Sequence, residues 1–527
     1  MESIKIKNMR SLKDTGCIKL KPINILVGNN SSGKSTFLRT FPLFKQSFSR
    51  RIDGPILWAG DDEDYVDFGT FKETLNKDAK NGEIEFEFEV VIDIKDIMRD
   101  MNRYSLFKSK DKKYNINKIV KFKISINSTN KKDYISTFCI QCNQKSLCID
   151  NKENKVYYNN KLMNFFELDN VIAKEKSNVL IRKYGIYRNS LYRIINEKFM
   201  FDLELEKIKE KIFSKECLNN TYFKLFFKEF IAKICAEIFL NDKININEFI
   251  SELKEDMIKS DKNMPKSMIK SLNIQIDDEI INEEIILDFI NVIFLSVIAR
   301  NCFDYIYQYF LNVNYIKPVR AHAERYYRLK NLAVDEIDPD GKNLPMFINS
   351  LNDKELKQYN DWLMENFGFK IKPKLTDGHV SINIETAQRR VNLSDSGYGY
   401  SQLLPIVTQL WIASNIKMDN IPIVFAIEQL ELHLHPEMQA KLMDVITKIA
   451  KLKKEKIQFI LETHSETIVN RLGNLIYKGK ISEEDVNIIV FNKKELDKNT
   501  EIKISTFNKD GYLQNWPIGF FGVEEIE

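Results

Sequence analysis

Long apolar runs are missing from this sequence of 527 residues. The most apolar stretch, residues 285–299, is interrupted by Asp288 and Asn291. It is also shorter than the roughly 20 residues that cross a bilayer, so we expect a buried helix there and no membrane partner. Residues 1–5 lack the apolar core of a secretory signal, which indicates a cytoplasmic protein.

An excess of charge of one sign is also missing. The chain has 79 Lys and Arg against 75 Asp and Glu, a net charge of +4. This balance neither requires nor excludes nucleic acid, and contact with DNA would need a local basic patch. With 43% apolar residues, the chain has an ordinary globular composition and the length for two or three domains.

Cysteine is scarce, and its seven residues are scattered along the chain. Cys139 and Cys142 have the C-x-x-C spacing and are followed by Cys148, but no His lies nearby and no second pair follows. This pattern favours structural thiols over a zinc site. We therefore expect the cysteines to be reduced.

Glycine is scarce as well, at 18 of 527 residues. A chance match to Gly-x-x-x-x-Gly-Lys-Ser is therefore expected in roughly one per cent of such chains. Residues 28–35 match this P-loop pattern and follow a short apolar strand. In a P-loop, backbone N–H groups cradle phosphates, the lysine reaches the β/γ oxygens and the serine binds Mg²⁺. The predicted ATP site is Gly28, Asn29, Asn30, Ser31, Ser32, Gly33, Lys34, Ser35 and Thr36, with Ser35 as a metal ligand.

A second apolar run, residues 421–427, ends in Glu428. A buried parallel strand that delivers a carboxylate at its carboxyl end is the Walker B arrangement of P-loop ATPases. Glu428 would then hold Mg²⁺ through water. Together with the P-loop, this run predicts an ATPase that uses ATP and Mg²⁺.

A third apolar run, residues 457–461, leads into His464. A histidine at the end of the strand next to Walker B can sense the γ-phosphate through a hydrogen bond. His433 and His435 lie just after the Walker B strand, where zinc ligation or helix capping are the other interpretations. We count His464 among the catalytic candidates.

Several motifs together resemble the ABC-type ATPase heads of the SMC, RecF and OLD class, an AAA-family group of bacterial ATPases. They are residues 8–12, 65–71, 315–320, 396–405, 462–466 and 516–521. The resemblance covers residues 1–95 and 310–527. It implies an α/β fold: an ABC-ATPase head with a mixed sheet and a parallel core, split by a large, mainly helical insertion.

The domain organisation follows from the same resemblance. Residues 1–95 would form the N-terminal part of the head and residues 311–527 its C-terminal part. Residues 96–310 would be the insertion, with a short β segment and then helices, for instance over residues 201–212 and 222–240. The insertion is a candidate region for dimerisation or partner binding.

The resemblance also assigns residues outside the P-loop. Residues 393–399 occupy the place of the ABC signature, which in such ATPases binds the γ-phosphate held by the other subunit. This implies an ATP-dependent homodimer or higher oligomer. Arg10 matches an arginine that contacts nucleotide. The signature candidates are Ser394, Ser396, Gly397 and Gly399.

Gln429 departs from the usual pattern of two acids after the Walker B strand. A glutamine can orient water but cannot accept its proton, so hydrolysis should be slow. Three explanations stay open: Gln429 is native to the subgroup, Glu431 takes over as the base, or the residue was engineered to trap ATP. Gln429 and Glu431 are therefore both catalytic candidates.

Two biological roles are open. The chain resembles ATPase subunits of Septu-type and retron-associated antiviral defence systems, which implies a partner effector, a nuclease or a toxin. The alternative is a RecF- or SMC-type maintenance ATPase that clamps double-stranded DNA, although no sustained heptad pattern is visible. Residues 465–527 are too few for a nuclease domain, so cleavage would come from a partner. A nucleotide-dependent scaffold without turnover is a third reading.

Overall fold

The computed structural model describes residues 1–61, 64–93, 117–129, 132–153, 155–162, 283–329, 334, 336–415, 421–454, 456–493 and 499–516. The chain divides into two compact units. The first unit contains residues 1–3, 51–55 and 85–307, and the second contains residues 4–50, 56–84 and 308–527. All the predicted site residues belong to the second unit.

The described strands are, in chain order, β1 (Ser3–Met9), β2 (Leu12–Asp14), β3 (Ile18–Lys19), β4 (Ile23–Gly28), β5 (Ile84–Asp93), β6 (Asn117–Ser128), β7 (Asp133–Cys142), β8 (Lys145–Asp150), β9 (Lys155–Tyr158), β10 (Lys161–Leu162), β11 (Val313–Ile316), β12 (Tyr327–Arg328), β13 (Lys370–Thr376), β14 (His379–Glu385), β15 (Arg390–Asn392), β16 (Ile423–Ile427), β17 (Ile457–Glu462), β18 (Val486–Asn492), β19 (Glu501–Phe507) and β20 (Leu513–Gln514). The described α-helices are α1 (Lys34–Ser49), α2 (Phe71–Thr74), α3 (Glu283–Leu311), α4 (Leu344–Ser350), α5 (Asp353–Phe367), α6 (Tyr398–Asn415), α7 (Pro436–Leu452) and α8 (Glu466–Tyr477).

The main sheet of the second unit has the strand order β11-β16-β17-β4-β18-β19-β20. Strands β11, β16, β17, β4 and β18 are parallel to one another. Strands β19 and β20 add an antiparallel edge. The residues of β4 are all buried, as expected for a strand covered on both faces. The predicted α/β fold with a mixed sheet and a parallel core is confirmed.

Helices cover this sheet on two faces, and side-chain alternation assigns each residue to one of them. Ile488 and Val490 of β18 belong to the core cluster that also contains residues of α6, α7 and α8. The neighbouring residue Phe491 points the other way and lies 5.8 Å from Phe37 of α1, centroid to centroid. Helix α1, which follows the P-loop, therefore packs on the face opposite α7 and α8.

A small antiparallel sheet and a β-hairpin also belong to the second unit. Strands β12, β14 and β13 pair in that order, and β15 pairs with the C-terminal end of β14, on the same side as β12. Strands β1 and β2 form a hairpin in which Met9 pairs with Leu12. Arg10 has a positive φ of 50° in the resulting two-residue turn. This turn fixes the position of Arg10 and Ser11.

The first unit contains an antiparallel meander of strands β5 to β10. Strand β5 alternates buried and half-buried residues, as its period-two sequence predicts. Cys139 of β7 and Cys148 of β8 are register partners and form a disulfide. The prediction of reduced thiols is therefore wrong for this pair, because the hairpin places the two residues side by side.

Helical predictions in the middle of the chain have mixed outcomes. The predicted helices over residues 201–212 and 222–240 lie outside the described residues. The predicted buried helix of residues 285–299 is part of α3. Helix α6 begins at Tyr398, within the segment predicted to hold the ABC signature. No helix in the described ranges has both the length and the apolar character to span a membrane.

Candidate functional site: the P-loop cavity

The P-loop connects the end of β4 to the start of α1, and both of its glycines are required sterically. A Cβ at Gly28 would clash with the carbonyl oxygen of Phe491 on the neighbouring strand. Gly33 has φ +97°, and a Cβ there would lie 2.7 Å from Ser11 Oγ. Since Gly33 is also the N-cap of α1, the loop presents its backbone at the positive end of that helix.

Lys34 folds back over the loop. Its Nζ donates hydrogen bonds to the carbonyl oxygens of Gly28 at 2.9 Å and Asn29 at 2.8 Å. The side chain is 3% exposed, and this burial lowers the pKa of Lys34. The ammonium group is therefore held where a phosphate can replace carbonyl oxygens as its partner.

A cavity of about 380 Å³ opens over the P-loop. Ser35 meets Glu462 and His464 there, although Ser35 and Glu462 are 427 residues apart in sequence. The cavity is lined by Arg10, Ser11, Asn30, Ser31, Ser32, Gly33, Lys34, Ser35, Thr36, Gln429, Glu462 and His464. Gly28, Asn29, Glu428 and Glu431, which were also predicted for the site, do not line it.

Ser35 contacts the carboxyl group of Glu462, whereas the carboxylate predicted to hold Mg²⁺ with it is that of Glu428. Its Oγ donates a hydrogen bond of 3.0 Å to Oε1 of Glu462, the last residue of β17. The Nζ of Lys34 lies 4.0 Å from the same oxygen. Burial and then the charge of Glu428 raise the pKa of Glu462 to about 7. The hydroxyl predicted to bind Mg²⁺ thus faces a buried carboxyl group.

Glu428 is fully engaged by other side chains one strand further from the P-loop. Arg39 of α1 forms two hydrogen bonds with its carboxylate, at 2.7 and 2.8 Å. The hydroxyl of Tyr315 donates a third bond at 2.6 Å. Arg320 Nη2 donates to the backbone carbonyl of Glu428 at 3.0 Å. The bond to Glu428 raises the pKa of Arg39, whereas burial lowers the pKa of Arg320 to about 10.

Gln429 and His464 both border the cavity, at the ends of neighbouring strands. Gln429, the second residue after β16, has a positive φ of 45°. Burial, followed by the charge of Lys34, lowers the pKa of His464. The imidazole is therefore neutral at pH 7 and offers one donor and one acceptor nitrogen.

Glu431 holds the turn that carries His464. Its carboxylate accepts hydrogen bonds from Thr463 Oγ1 at 2.6 Å and from the backbone N–H of His464 at 2.8 Å. Both carboxylate oxygens are used in these bonds. Glu431 therefore orients the residues after β17 and does not line the P-loop cavity.

Arg10 reaches the cavity from the β1–β2 hairpin. Its guanidinium lies 4.6 Å above the ring of Phe68, and Nη2 donates to the Phe68 carbonyl at 3.1 Å. Burial, followed by the charge of Arg39, lowers the pKa of Arg10. The guanidinium is stacked and oriented, with donors left for an anionic ligand.

The signature candidates lie elsewhere in the second unit. Ser394 Oγ donates to Asn392 Oδ1 at 2.9 Å, and Ser396 Oγ donates to the Leu393 carbonyl at 2.7 Å. Gly397 has φ +82° with open space where a Cβ would be. None of Ser394, Ser396, Gly397 and Gly399 lines the P-loop cavity of the same chain.

His433 and His435, which follow β16, contact residues outside the P-loop cavity. The ring of His433 lies 5.7 Å from that of Tyr398, at the start of α6. His435 is the N-cap of α7, and its Nδ1 accepts the N–H of Glu437 at 3.3 Å. The capping interpretation therefore describes His435.

Sequence reasoning did not assign Glu462, Arg39, Tyr315 or Arg320 to the site. A signal for Glu462 existed, because β17 is an apolar strand that ends in an acid, as the Walker B strand does. Tyr315 and Arg320 lie in a motif that carried the family resemblance but received no role. Arg39 had no signal beyond its place one turn after the P-loop.

The oxygen donors near Ser35 suit Mg²⁺, which prefers hard oxygen ligands. The donor set is a hydroxyl and a carboxyl group, and Oε2 of Glu462 is buried with no hydrogen-bond partner in the described structure. In the described part of the chain, no group of three or more His, Cys, Asp or Glu side chains could hold a metal. Mg²⁺ would therefore take most of its ligands from water and nucleotide, as it commonly does.

The chain matches the family model of an AAA ATPase domain over residues 1–469. It therefore belongs to this family and is an AAA-type P-loop ATPase. A solved structure of an SMC head bound to the C-winged helix domain of ScpA is similar, at 10% identity and TM-score 0.32, covering 96% of this chain and 98% of that one. The SMC head domain from Thermotoga maritima is similar at 9% identity and TM-score 0.32, covering 95% and 97%. No curated protein is close enough in sequence to match.

Proposed function

We propose that this chain binds ATP with Mg²⁺ in the P-loop cavity and hydrolyses it slowly. The observation that carries the proposal is the conformation of Lys34, whose buried ammonium group is held by the carbonyl oxygens of Gly28 and Asn29 beside the cavity. The triphosphate would lie along the backbone of residues 29–33, at the N-terminus of α1. Arg10 would contact the nucleotide from the β1–β2 hairpin.

Ser35 and Glu428 are the residues predicted to hold Mg²⁺. When bound, the ion neutralises charge on the phosphate oxygens and orients them. Ser35 is free to turn its hydroxyl from Glu462 toward a ligand in the cavity. Glu428 is held by Arg39 and Tyr315, so its participation requires a change in the Arg39 contact.

Gln429 and His464 would act on the attacking water and the γ-phosphate. Gln429 can orient a water molecule through its amide, but it has no basic group to take the proton. The neutral imidazole of His464 can donate one hydrogen bond to a phosphate oxygen. Glu431 supports the position of His464 through the bonds to residues 463 and 464. Slow turnover follows from the missing base.

Association of two chains would complete the site. The signature residues 394–399 lie outside the P-loop cavity of their own chain. In the arrangement implied by the family resemblance, they would meet the ATP bound to a second copy. The open space around Gly397 leaves room for such a contact. ATP would then control assembly of a homodimer or higher oligomer.

The proposed biological role is a sensor or regulatory subunit of a bacterial antiviral defence system in the cytoplasm. Its support is the sequence resemblance to Septu-type and retron-associated ATPases. ATP-dependent assembly would control a partner effector, a nuclease or a toxin. A gene for such an effector next to this one, together with phage protection that needs both genes, would support this role. Protection that does not need this gene would reject it.

A basic sheet face favours the alternative role, clamping of double-stranded DNA. On β13, Lys370, Lys372 and Lys374 alternate with the buried Ile371 and therefore share the outer face. Lys372 Nζ forms a salt bridge of 2.7 Å with the carboxylate of Glu385 on β14. Salt-dependent binding of a DNA duplex that weakens in a Lys372→Glu, Lys374→Glu variant would favour this alternative.

The turnover experiment compares Lys34→Ala with Lys13→Ala. Lys13 is exposed on β2 and does not line the cavity, so it controls for the loss of one positive charge. We expect slow phosphate release from ATP by the wild type and by Lys13→Ala, and none above background by Lys34→Ala. Equal rates for all three proteins would reject hydrolysis at this P-loop.

A further inference from the structure

Glu462 occupies a position that the proposed ATP site does not yet explain. It is the last residue of β17, the strand that pairs directly with the P-loop strand β4. Its register partner on β4 is Leu26, two residues before the loop begins at Gly28. The residue is 3% exposed, yet it lines the P-loop cavity. The sheet therefore delivers a buried carboxyl group to the phosphate-binding loop.

The contacts of this carboxyl group are incomplete. Oε1 accepts the 3.0 Å hydrogen bond from Ser35 and lies 4.0 Å from Lys34 Nζ. Oε2 is buried and has no hydrogen-bond partner in the described structure. A buried carboxylate oxygen without a donor is costly, and such a group is normally satisfied by water, an ion or a ligand. The unpartnered oxygen is therefore available to a ligand of the cavity.

Glu428 differs from Glu462 in this respect. Both oxygens of Glu428 accept hydrogen bonds from Arg39, and Oε1 also accepts one from Tyr315. An arginine bound through two parallel hydrogen bonds neutralises a carboxylate and fixes its geometry. Glu428 already has a cationic partner, because Arg39 Nε lies 2.7 Å from its carboxylate. Lys34 Nζ lies 4.0 Å from the Glu462 carboxylate and donates its hydrogen bonds to backbone carbonyls.

We propose that Glu462 supplies a carboxylate oxygen to the Mg²⁺ that Ser35 binds. This inference rests on the proposed ATP site. Ser35 and Glu462 are already in contact, so a cation that takes the Ser35 hydroxyl oxygen lies within reach of the Glu462 carboxylate. One hydroxyl and one carboxylate, with water and phosphate oxygens for the other positions, form a common ligand set for Mg²⁺. Glu428 then acts as a positioning residue that holds Arg39 and α1 at the edge of the site.

The test uses Glu462→Gln in the full chain, because glutamine keeps the size and can still accept the Ser35 hydrogen bond. A fluorescent, non-hydrolysable ATP analogue is titrated in EDTA and then at increasing Mg²⁺. Bound Mn²⁺ is counted separately by electron paramagnetic resonance. Glu466→Gln, at an exposed carboxylate at the start of α8 that does not line the cavity, is the matched control.

We expect nucleotide affinity in EDTA to stay within about twofold of the wild type in both variants, because Glu462 acts through the metal. The Mg²⁺ midpoint is the Mg²⁺ concentration that gives half of the Mg²⁺-dependent change in nucleotide affinity. It should rise by about tenfold or more in Glu462→Gln, with loss of bound Mn²⁺, and stay unchanged in Glu466→Gln. An unchanged midpoint in folded Glu462→Gln overturns the inference.

Failure of the wild type to bind nucleotide and failure of Glu462→Gln to fold are distinguished from failure of this inference. If the wild type binds no nucleotide, the proposed function fails before this inference is reached. If Glu462→Gln does not fold, Glu462→Asp is titrated in its place. Aspartate keeps the charge on a side chain one methylene shorter, so the Mg²⁺ midpoint should rise by at least about threefold, since metal sites tolerate little displacement of a ligand. An unchanged midpoint in Glu462→Asp equally overturns the inference.

Discussion

Arg39 and Glu428 form a two-pronged ion pair, with Nε 2.7 Å from Oε1 and Nη2 2.8 Å from Oε2. Glu428 is 2% exposed, whereas the Arg39 side chain keeps 33% of its surface in contact with solvent. The pair joins α1, the helix after the P-loop, to the residue that follows β16. The charge of the buried acid is therefore balanced by a residue that can still reach water.

The stability of this pair can be measured by a double-mutant cycle. Arg39→Met leaves Glu428 buried without its cation, and we expect a loss of about 2 kcal/mol or more in the free energy of unfolding. Glu428→Gln in the same background should recover much of that loss, giving a coupling of about 1–3 kcal/mol. Chemical denaturation of the four proteins supplies these values.

Arg471 and Asp444 provide the control, because their pair has the same two-pronged geometry at 2.7 Å but lies nearer the surface. Arg471→Met should cost less than about 1 kcal/mol, as is usual for exposed ion pairs. Equal losses in the free energy of unfolding for Arg39→Met and Arg471→Met would show that burial of Glu428 does not make its ion pair with Arg39 more important for stability.

The raised pKa of Glu462 predicts a pH-dependent stability of the nucleotide-free protein in a chelator. The folded pKa is about 7 against an ordinary value of 4.5, so the folded state binds the proton more tightly. This stabilising contribution is complete below pH 4.5 and is lost as the pH rises through about 7. Between pH 5 and 8, the wild type should therefore lose about 2–3 kcal/mol relative to Glu462→Gln.

Urea denaturation at several pH values measures that difference. Glu466→Gln serves as the control, because the Glu466 carboxylate is exposed. The difference in the free energy of unfolding between this variant and the wild type should not change over the same pH range. A Glu462→Gln difference that is equally flat would mean that the Glu462 carboxyl ionises normally in the folded chain.

Turnover should depend on Gln429. Gln429→Glu places a carboxylate at the edge of the cavity, and we expect the ATPase rate to rise about tenfold or more, since a general base typically contributes about 10²–10⁴-fold. His464→Ala should abolish the gain, because both residues act in the same state and their effects do not add. Steady-state phosphate release is the measurement.

The competing assignment of Glu431 as base predicts different kinetics. In that case Gln429→Glu changes nothing, and Glu431→Gln eliminates turnover together with the pH dependence of kcat. If Glu431 only positions His464, Glu431→Gln should lower kcat without removing its pH dependence.

Assembly should require the signature region. Gly397 has φ +82°, and a side chain there would project into open space. Gly397→Glu should leave ATP binding to each chain within about twofold, yet block ATP-dependent association through charge repulsion at the γ-phosphate. Gly479, with φ +64° and the same open surroundings, is the matched control, so Gly479→Glu should assemble normally.

Native mass measurements with Mg²⁺ and a non-hydrolysable ATP analogue report the outcome. A Gly397→Glu protein that still forms tight dimers would remove residues 394–399 from the interface. Failure of the wild type to associate with saturating nucleotide would remove the dimer itself from the proposed function.

Contiguous motifs made much of this fold predictable from the sequence. The P-loop, the apolar strands that become β16 and β17, and the alternating strand β5 are local patterns whose periodicity defines the element. The order of strands is not local. Since β17 lies between β4 and β16, the acid next to Ser35 is Glu462, which is 427 residues away, rather than Glu428.

Other features depended on tertiary context in the same way. The pairing of Cys139 with Cys148 follows from a hairpin register that the spacing of cysteines does not encode. The engagement of Glu431 by residues 463 and 464 joins two loops that follow neighbouring strands. In each case the residue types were visible in the sequence, and the contact required the packed sheet.

Every proposed role of this chain depends on ATP binding in the P-loop cavity through Lys34. The most direct test is a calorimetric titration of the full chain with a non-hydrolysable ATP analogue and Mg²⁺, beside Lys34→Ala and Lys13→Ala. We expect saturable binding, about one nucleotide per chain as for one P-loop, in the wild type and in Lys13→Ala, and no measurable binding in folded Lys34→Ala. Equal affinity for the nucleotide in folded Lys34→Ala and in the wild type would contradict ATP binding through Lys34.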